Sequence, residues 1–532
     1  MMSASDARVN LIELARRSVY TSVERLPLGF QRVPAMLHRL ILRFACVLMI
    51  FALPTSADAQ AKIDPKKGKI DPKKKMEQEA FVQEMASLKP EEQIEQVKRR
   101  LQGLNAGFRE YSAQIESGVV TRVTIVTEYV DDLSPLRAFP GLKHLTAYHG
   151  KLADITPLAG LKLETLDVSH NRLLTDISVV KGMPLKSFSC NYTNVSSLLP
   201  LEGCTSLDIL SCSGSRVTNL KPLKGMMLRT LGCSLNRGTA NETITDLSPL
   251  RGMMLEAFYG DGMTASDYSP LKPMPIQSLS LSQTPIADFS LLKDMPLVTL
   301  NVTLTRFTEK DGLILKDKKI STLAVGDTPI KDLVFVKDMP LKTLTCTRCK
   351  QLLSLTPLAD KKLTYLAIGE TPIKDLDPLQ GMPLQTLDCT DTNVASLTPL
   401  KGMPMIYLYV GWRVRKGVSP IVDLAPLEKM KLNRLDCSNT SIKDLKPLAD
   451  CPLVYLDCHN TAIKDLSPLA ASPVSTLFCQ GTKVVDFTPL KTAPNVRFLQ
   501  CDYKLPRDAA ALKSIKSLQT LNGEASFRVL AN

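Results

Sequence analysis

From about residue 123 onward the chain repeats one order of apolar and polar positions at a nearly fixed interval. One copy, Leu432 to Leu453, reads LNRLDCSNTSIKDLKPLADCPL. LVYLDCHNTAIKDLSPL (Leu453 to Leu469), LQTLDCTDTNVASLTPL (Leu384 to Leu400) and LTYLAIGETPIKDLDPL (Leu363 to Leu379) follow the same template. Leu435, Asp436 and Cys437 alternate apolar, polar, apolar, the pattern of a half-buried strand. Thr440 and Ile442 follow, and Asp444 then precedes Leu445-Lys446-Pro447-Leu448. That order predicts a tight helical turn capped by the aspartate, with Pro447 in the first turn, where a missing N–H costs little.

The capping position recurs from Asp132 to Asp486, with Asp311 among its members. Where aspartate is replaced, at Ser197, Asn219, Ser354 and Ser396, the substitute is another capping residue. Such selectivity assigns these carboxylates to the scaffold rather than to acid–base chemistry. Most steps between caps are 21 or 22 residues. Two are longer, and their extra residues, Ser234 to Thr243 and Gly411 to Val422, fall at one place in the repeat, after the strand and before the cap. Both therefore leave the same rim, where insertions serve either as binding loops or as tolerated surface additions. Phe307 to Lys319 lacks the Pro-Leu signature and is expected to kink the array locally.

The L-x-x-L-x-C/L-x-x-T-x-I-x-D-L-x-P-L pattern resembles the leucine-rich repeats of bacterial internalins. Its G-M-P-L and L-x-C variants resemble repeat proteins common in planctomycete bacteria. The resemblance runs from about Val123 to the C-terminus. It implies a solenoid of about 17 repeats, with one short parallel strand per repeat on a concave face and turn-like 3-10 segments on the convex face. At roughly 4.8 Å per strand the array would extend about 80 Å. Related repeats are often joined to a kinase, but this chain has no H-R-D or D-F-G set.

The flanks divide the rest. Residues 1–59 form a signal-peptide region: Arg39 and Arg43 precede ten apolar residues, Phe44 to Leu53, and Ala57-Asp58-Ala59 offers a cleavage site. Met36 is an alternative start, and the mature chain would begin near Gln60. The apolar run is too short to span a bilayer, so no stable transmembrane span remains after cleavage; the alternative is an uncleaved anchor. Residues 60–75 are a Lys- and Pro-rich linker carrying Lys-Ile-Asp-Pro-Lys-Lys twice. Residues 76–130 are read as a cap: helical periodicity in Met76 to Leu88 and Glu91 to Leu104, then a β-branched strand in Val119 to Val130. Residues 131–505 are the solenoid. Residues 506–532 close it with a short helix (Pro506 to Ile515) and a last strand (Leu518 to Gly523).

Charge and cysteine content change this picture little. The formal charge is +13, but residues 1–59 hold seven Arg against four acids, and residues 62–75 hold seven Lys against two Asp. The repeats are close to neutral for their length, and no nucleic-acid-binding motif accompanies them. Cys190, Cys212, Cys233, Cys346, Cys389, Cys437, Cys458, Cys479 and Cys501 all take one inward position, where cysteine acts as a small hydrophobe, so free thiols are expected. Cys346-Thr-Arg-Cys349 is a lone C-x-x-C; Cys349 falls at the Thr440-equivalent position, which makes a redox or metal role weak.

There is no phosphate loop, no G-x-S-x-G elbow and no H-E-x-x-H helix, and the five histidines are scattered. No nucleophile, base and orienter can be assembled, so the chain is read as non-catalytic and without cofactor or metal. What remains is a surface. Outward strand positions are mostly small or polar in the N-terminal half and become aromatic later: Tyr365, Tyr407, Tyr409, Tyr455, Phe478 and Phe498, with Asp388, Arg434, Asp436 and Asp457 among them, an aromatic strip rimmed by charge. Trp412, the only tryptophan, stands in the second insertion with Arg413, Arg415 and Lys416. Such residues suit a hot spot for a protein or an envelope polysaccharide on the concave face of an exported, periplasmic or cell-surface protein. The alternatives are a spacer without a dedicated ligand, or aromatics that only pack on one another.

Overall fold

The computed structural model describes residues 72–109, 111–235, 243–413, 419–504 and 506–525. The signal-peptide region and most of the linker lie outside these residues, as do the tips of both insertions. Two helices come first, α1 (Pro72–Met85) and α2 (Pro90–Leu104). α1 begins inside the stretch read as linker, because Lys73 to Lys75 continue into the helix. Lys89 and Pro90 separate the two helices: the residue before proline is driven to extended backbone (Lys89 φ −66, ψ 152), and proline fits the first helical turn. α2 buries Val97 and Leu101 against the end of the sheet.

β1 (Tyr111–Glu116) pairs antiparallel with β2 (Val119–Val126), which starts a run of parallel strands. The sequence reading placed only the second strand here. After β3 (His144–Tyr148), each repeat adds one three-residue strand, from β4 (Thr165–Asp167) to β19 (Phe498–Gln500). β20 (Thr520–Leu521) ends the parallel run, and β21 (Glu524–Ala525) turns back on it antiparallel. From β4 onward the central residue is Leu or Phe, and it pairs with its counterpart in the next strand throughout. Every such residue is buried, while its two neighbours mostly stand half-exposed on the outer face. The chain is a leucine-rich repeat solenoid.

The opposite side is built of 3-10 turns, and the capping argument can be followed bond by bond. Asp444 Oδ1 accepts the Lys446 N–H at 2.8 Å, and Asp132, Asp154, Asp176, Asp246, Asp267, Asp288, Asp332, Asp375, Asp423, Asp465 and Asp486 do the same two residues on at 2.7–2.9 Å. The hydroxyl caps Ser197, Ser354 and Ser396 make longer bonds of 3.3, 3.1 and 3.2 Å, as an uncharged and shorter acceptor should. Asp311 is the exception. Thr308 caps α3 (Glu309–Gly312), and Asp311 accepts the Thr308 N–H at 2.8 Å in a reciprocal capping box. This short helix replaces the missing Pro-Leu turn. The strand register runs on across it, with Thr299 to Asn301 paired to Thr322 to Ala324. Phe307 fills the altered repeat, edge-on to Phe289 (5.0 Å between centroids) and Phe335 (6.1 Å).

Leu, Ile, Val, Met and Cys run through the interior as one continuous core. The nine ladder cysteines follow directly after the strands, all buried, and the twelve described cysteines are free. Burial pushes the nine ladder thiols far from ionisation, to about 12 for Cys212 and Cys501, so they are apolar fillers rather than nucleophiles. Cys349 is also free, with Sγ 3.2 Å from the Val325 carbonyl oxygen. Among the described residues no group of three or more His, Cys, Asp or Glu could hold a metal ion. No described helix is long and apolar enough to cross a membrane.

Candidate functional site

The parallel register converts sequence spacing into two columns on the outer strand face. β13 (Tyr365–Ala367), β14 (Thr386–Asp388), β15 (Tyr407–Tyr409), β16 (Arg434–Asp436), β17 (Tyr455–Asp457) and β18 (Thr476–Phe478) precede β19. The first column runs Tyr365, Thr386, Tyr407, Arg434, Tyr455, Thr476, Phe498. The second runs Ala367, Asp388, Tyr409, Asp436, Asp457, Phe478, Gln500.

The centre of this surface is Arg434. Its guanidinium carbon lies 3.7 Å from the centroid of the Tyr455 ring and 5.8 Å from that of Tyr409, so one cation is shared by two rings on the flanking strands. Tyr455 in turn meets Phe478 nearly edge to face, with centroids 5.6 Å apart and planes at 65°. Burial raises the pKa of Tyr409 and pushes that of Tyr455 up to about 12, which keeps both hydroxyls neutral. Tyr407 is the most open of the group, 40% exposed.

Not every aromatic of the sequence reading joins. Thr386 stands between Tyr365 and Tyr407, and Thr476 between Tyr455 and Phe498. Among the described residues, Tyr455–Phe478 is the one ring pair within the set, so the aromatics do not form a continuous stack.

The carboxylates, read from sequence as a charged rim, sit at different depths, Asp388 and Asp457 half-buried and Asp436 deeper. Asp436 is fully buried. Its Oδ1 accepts the Ser438 hydroxyl at 2.7 Å and the Ser438 N–H at 3.1 Å, and its Oδ2 accepts both Nε (3.1 Å) and Nη2 of Arg413. The Arg413 backbone N–H donates to Asp391, another buried carboxylate, at 2.9 Å. Burial works against the Arg413 charge, but Asp436 outweighs it and holds the guanidinium above its ordinary pKa. These bonds fix the root of the second insertion beside the strand face. Trp412 lies between, half-buried, its backbone N–H donating to the Ser438 carbonyl at 2.9 Å.

Asp388 accepts the Thr390 N–H at 3.0 Å, and burial raises its pKa against that bond. Asp457 binds His459 Nδ1 at 2.6 Å, and its pKa is raised by burial and by neighbouring Asp436. Asp391 and Ser438 were absent from the sequence reading, and His459 entered it only as one of the scattered histidines. Their polarity was visible, but their roles depend on which repeat each one faces.

No protein-family model matches this chain, and no curated protein matches it. Solved structures similar to it include an internalin, InlF, of Listeria monocytogenes (17% identity over 82% of this chain and 98% of that one, TM-score 0.29). Others are the functional domain of InlJ from the same species (20% identity, 71% and 72%, TM-score 0.35) and a leucine-rich repeat protein of Leptospira interrogans (14% identity, 75% and 88%, TM-score 0.35). The solenoid assignment stands on the sheet and turns described above.

Proposed function

We propose that this is an exported, non-catalytic binding protein that holds a macromolecular partner, a protein or an envelope polysaccharide, on the outer strand face of its C-terminal half. The observation that carries the reading is the Tyr409–Arg434–Tyr455 arrangement beside exposed Tyr407. Rigid aromatic side chains and a pre-positioned arginine are the residues that dominate interface energies, because they bury large area at small entropic cost. Trp412 and Arg413 extend the face at the root of the insertion, and Phe478 extends it towards the C-terminus. Export is supported by the apolar run and cleavage pattern of residues 32–59.

The test is capture from envelope and cell-wall fractions on immobilised protein beginning at Gln60, beside a variant carrying Tyr407→Ala, Tyr409→Ala and Trp412→Ala. A partner retained by the first and lost by the second is expected. If both capture the same set, the aromatics are packing and the chain is a spacer.

A further inference from the structure

The charges on this face are unevenly paired. The three carboxylates of the second column are already engaged: Asp388 by Thr390, Asp436 by Ser438 and Arg413, Asp457 by His459. The guanidiniums stand differently. The Arg413 side chain keeps 54% of its surface exposed while it holds Asp436. Arg434 is half-buried, faces two ring planes, and has its Nε shut from solvent without a hydrogen-bond partner. No carboxylate among the described residues pairs with it, although Asp436 lies two residues along the same strand. Arg413 occupies that carboxylate, and this leaves Arg434 unneutralised. The face therefore holds one guanidinium with no carboxylate of its own beside acids that are already engaged, which is complementary to an anionic group.

The rings narrow the choice of anion. A pyranose is commonly held by stacking on a free aromatic face, but Arg434 covers Tyr455 at 3.7 Å and Phe478 abuts the same ring. Ring edges, a planar guanidinium and the open Tyr407 side chain suit a peptide carboxylate with an apolar neighbour.

We propose that Arg434 is the anchor for a carboxylate on a partner protein: an extended acidic segment whose Asp or Glu pairs with the guanidinium while an adjoining apolar side chain packs on Tyr407. This rests on the reading that the strand face is the binding face. Arg413 has a second part, keeping Asp436 from neutralising the anchor.

The experiment uses protein beginning at Gln60 and a fluorescent twelve-residue peptide of alternating Glu and Val. Controls are its Gln-for-Glu counterpart and polygalacturonate, and binding is read by anisotropy at low and moderate salt. Binding of the Glu peptide is expected, weakened at least tenfold by Arg434→Gln, less by Arg434→Lys, and lost with the Gln peptide. Equal binding of the Glu and Gln peptides overturns the proposal, as does an unchanged affinity in Arg434→Gln with its thermal melt intact. Binding of polygalacturonate that is tighter than the peptide and depends on Arg434 also overturns it, by making an acidic polysaccharide the occupant. The two readings fail separately. A partner lost by the Tyr407, Tyr409 and Trp412 variant but kept by Arg434→Gln removes only the carboxylate anchor, and a partner kept by both removes the binding face as well.

Discussion

Cys437 and Cys458 occupy equivalent positions on adjacent repeats, both fully buried, yet they should respond differently to serine. No hydrogen bond to Cys437 Sγ is formed among the described residues, whereas Cys458 Sγ lies 3.4 Å from the Phe478 carbonyl oxygen. Cys437→Ala removes one methyl-sized buried group, about 1 kcal/mol. Cys437→Ser places a hydroxyl in the same site without an acceptor and adds about 1–3 kcal/mol of desolvation, for a total of about 2–4. In Cys458→Ser the new hydroxyl can donate to the Phe478 carbonyl, and the loss should stay near 1–2 kcal/mol.

A repeat array opens segment by segment, so one global unfolding energy is a poor measure. Hydrogen exchange is the better assay, read at the amides of the surrounding repeats, including the Cys437 N–H that donates to the Asp457 backbone carbonyl at 2.8 Å. At 1.36 kcal/mol per factor of ten, protection there should fall about 30- to 1000-fold in Cys437→Ser, and about fivefold in Cys437→Ala. Equal protection in the serine and alanine variants would refute the account of the ladder as a hydrophobic stripe. So would an absence of titratable thiols after denaturation, which would mean the cysteines are paired.

Three further outcomes are expected. Hydrogen bonds from the serine two residues on, from its hydroxyl and its N–H, hold Asp246, Asp267 and Asp465 below the usual carboxylate pKa. Their stabilisation is complete above the unfolded value near 4 and is lost as pH falls through the folded values below it, so melting temperature should drop as pH falls below about 4. Asp388 has the opposite sign: burial raises its pKa, so its charge opposes folding at neutral pH. Asp388→Asn should melt at or above the parent at pH 7, with the gap closing as pH falls through the folded pKa; a lower melt at pH 7 would contradict this. Gly312→Ala places a Cβ into the Phe335 ring. It should destabilise by roughly 1–3 kcal/mol despite alanine's helix propensity, and Phe335→Leu in the same chain should recover part of the loss.

Much of the fold was legible because a repeat tests each inference many times over. One Asp before a Leu-x-Pro-Leu is a weak signal; the same residue at a fixed step, replaced only by Ser or Asn, is a strong one. The inward cysteines and central leucines were readable for the same reason. Where the pattern lapsed, so did the reading. Tyr111–Glu116 alternates without a repeat to support it, and only its pairing with β2 reveals a strand. Asp311 stood at the right step, but Thr308 offered a better cap for a longer turn. The columns of the site followed from spacing alone. The depth of its acids did not: Asp436 and Asp457 look alike in sequence, and one is sunk and clamped because an arginine arrives from an insertion 23 residues upstream.

The unbroken pairing of central strand residues through the two long repeats and through α3 separates strand alignment from repeat length. Each strand takes its position from the strand before it, whatever the chain does on the way round. Gain or loss of a whole repeat outside the arginine-centred face would then leave both end caps and that face intact and only alter their separation by one strand spacing. The molecule is in that sense a ruler whose graduations can be added or removed without redesigning the instrument at either end, and reach can evolve independently of recognition.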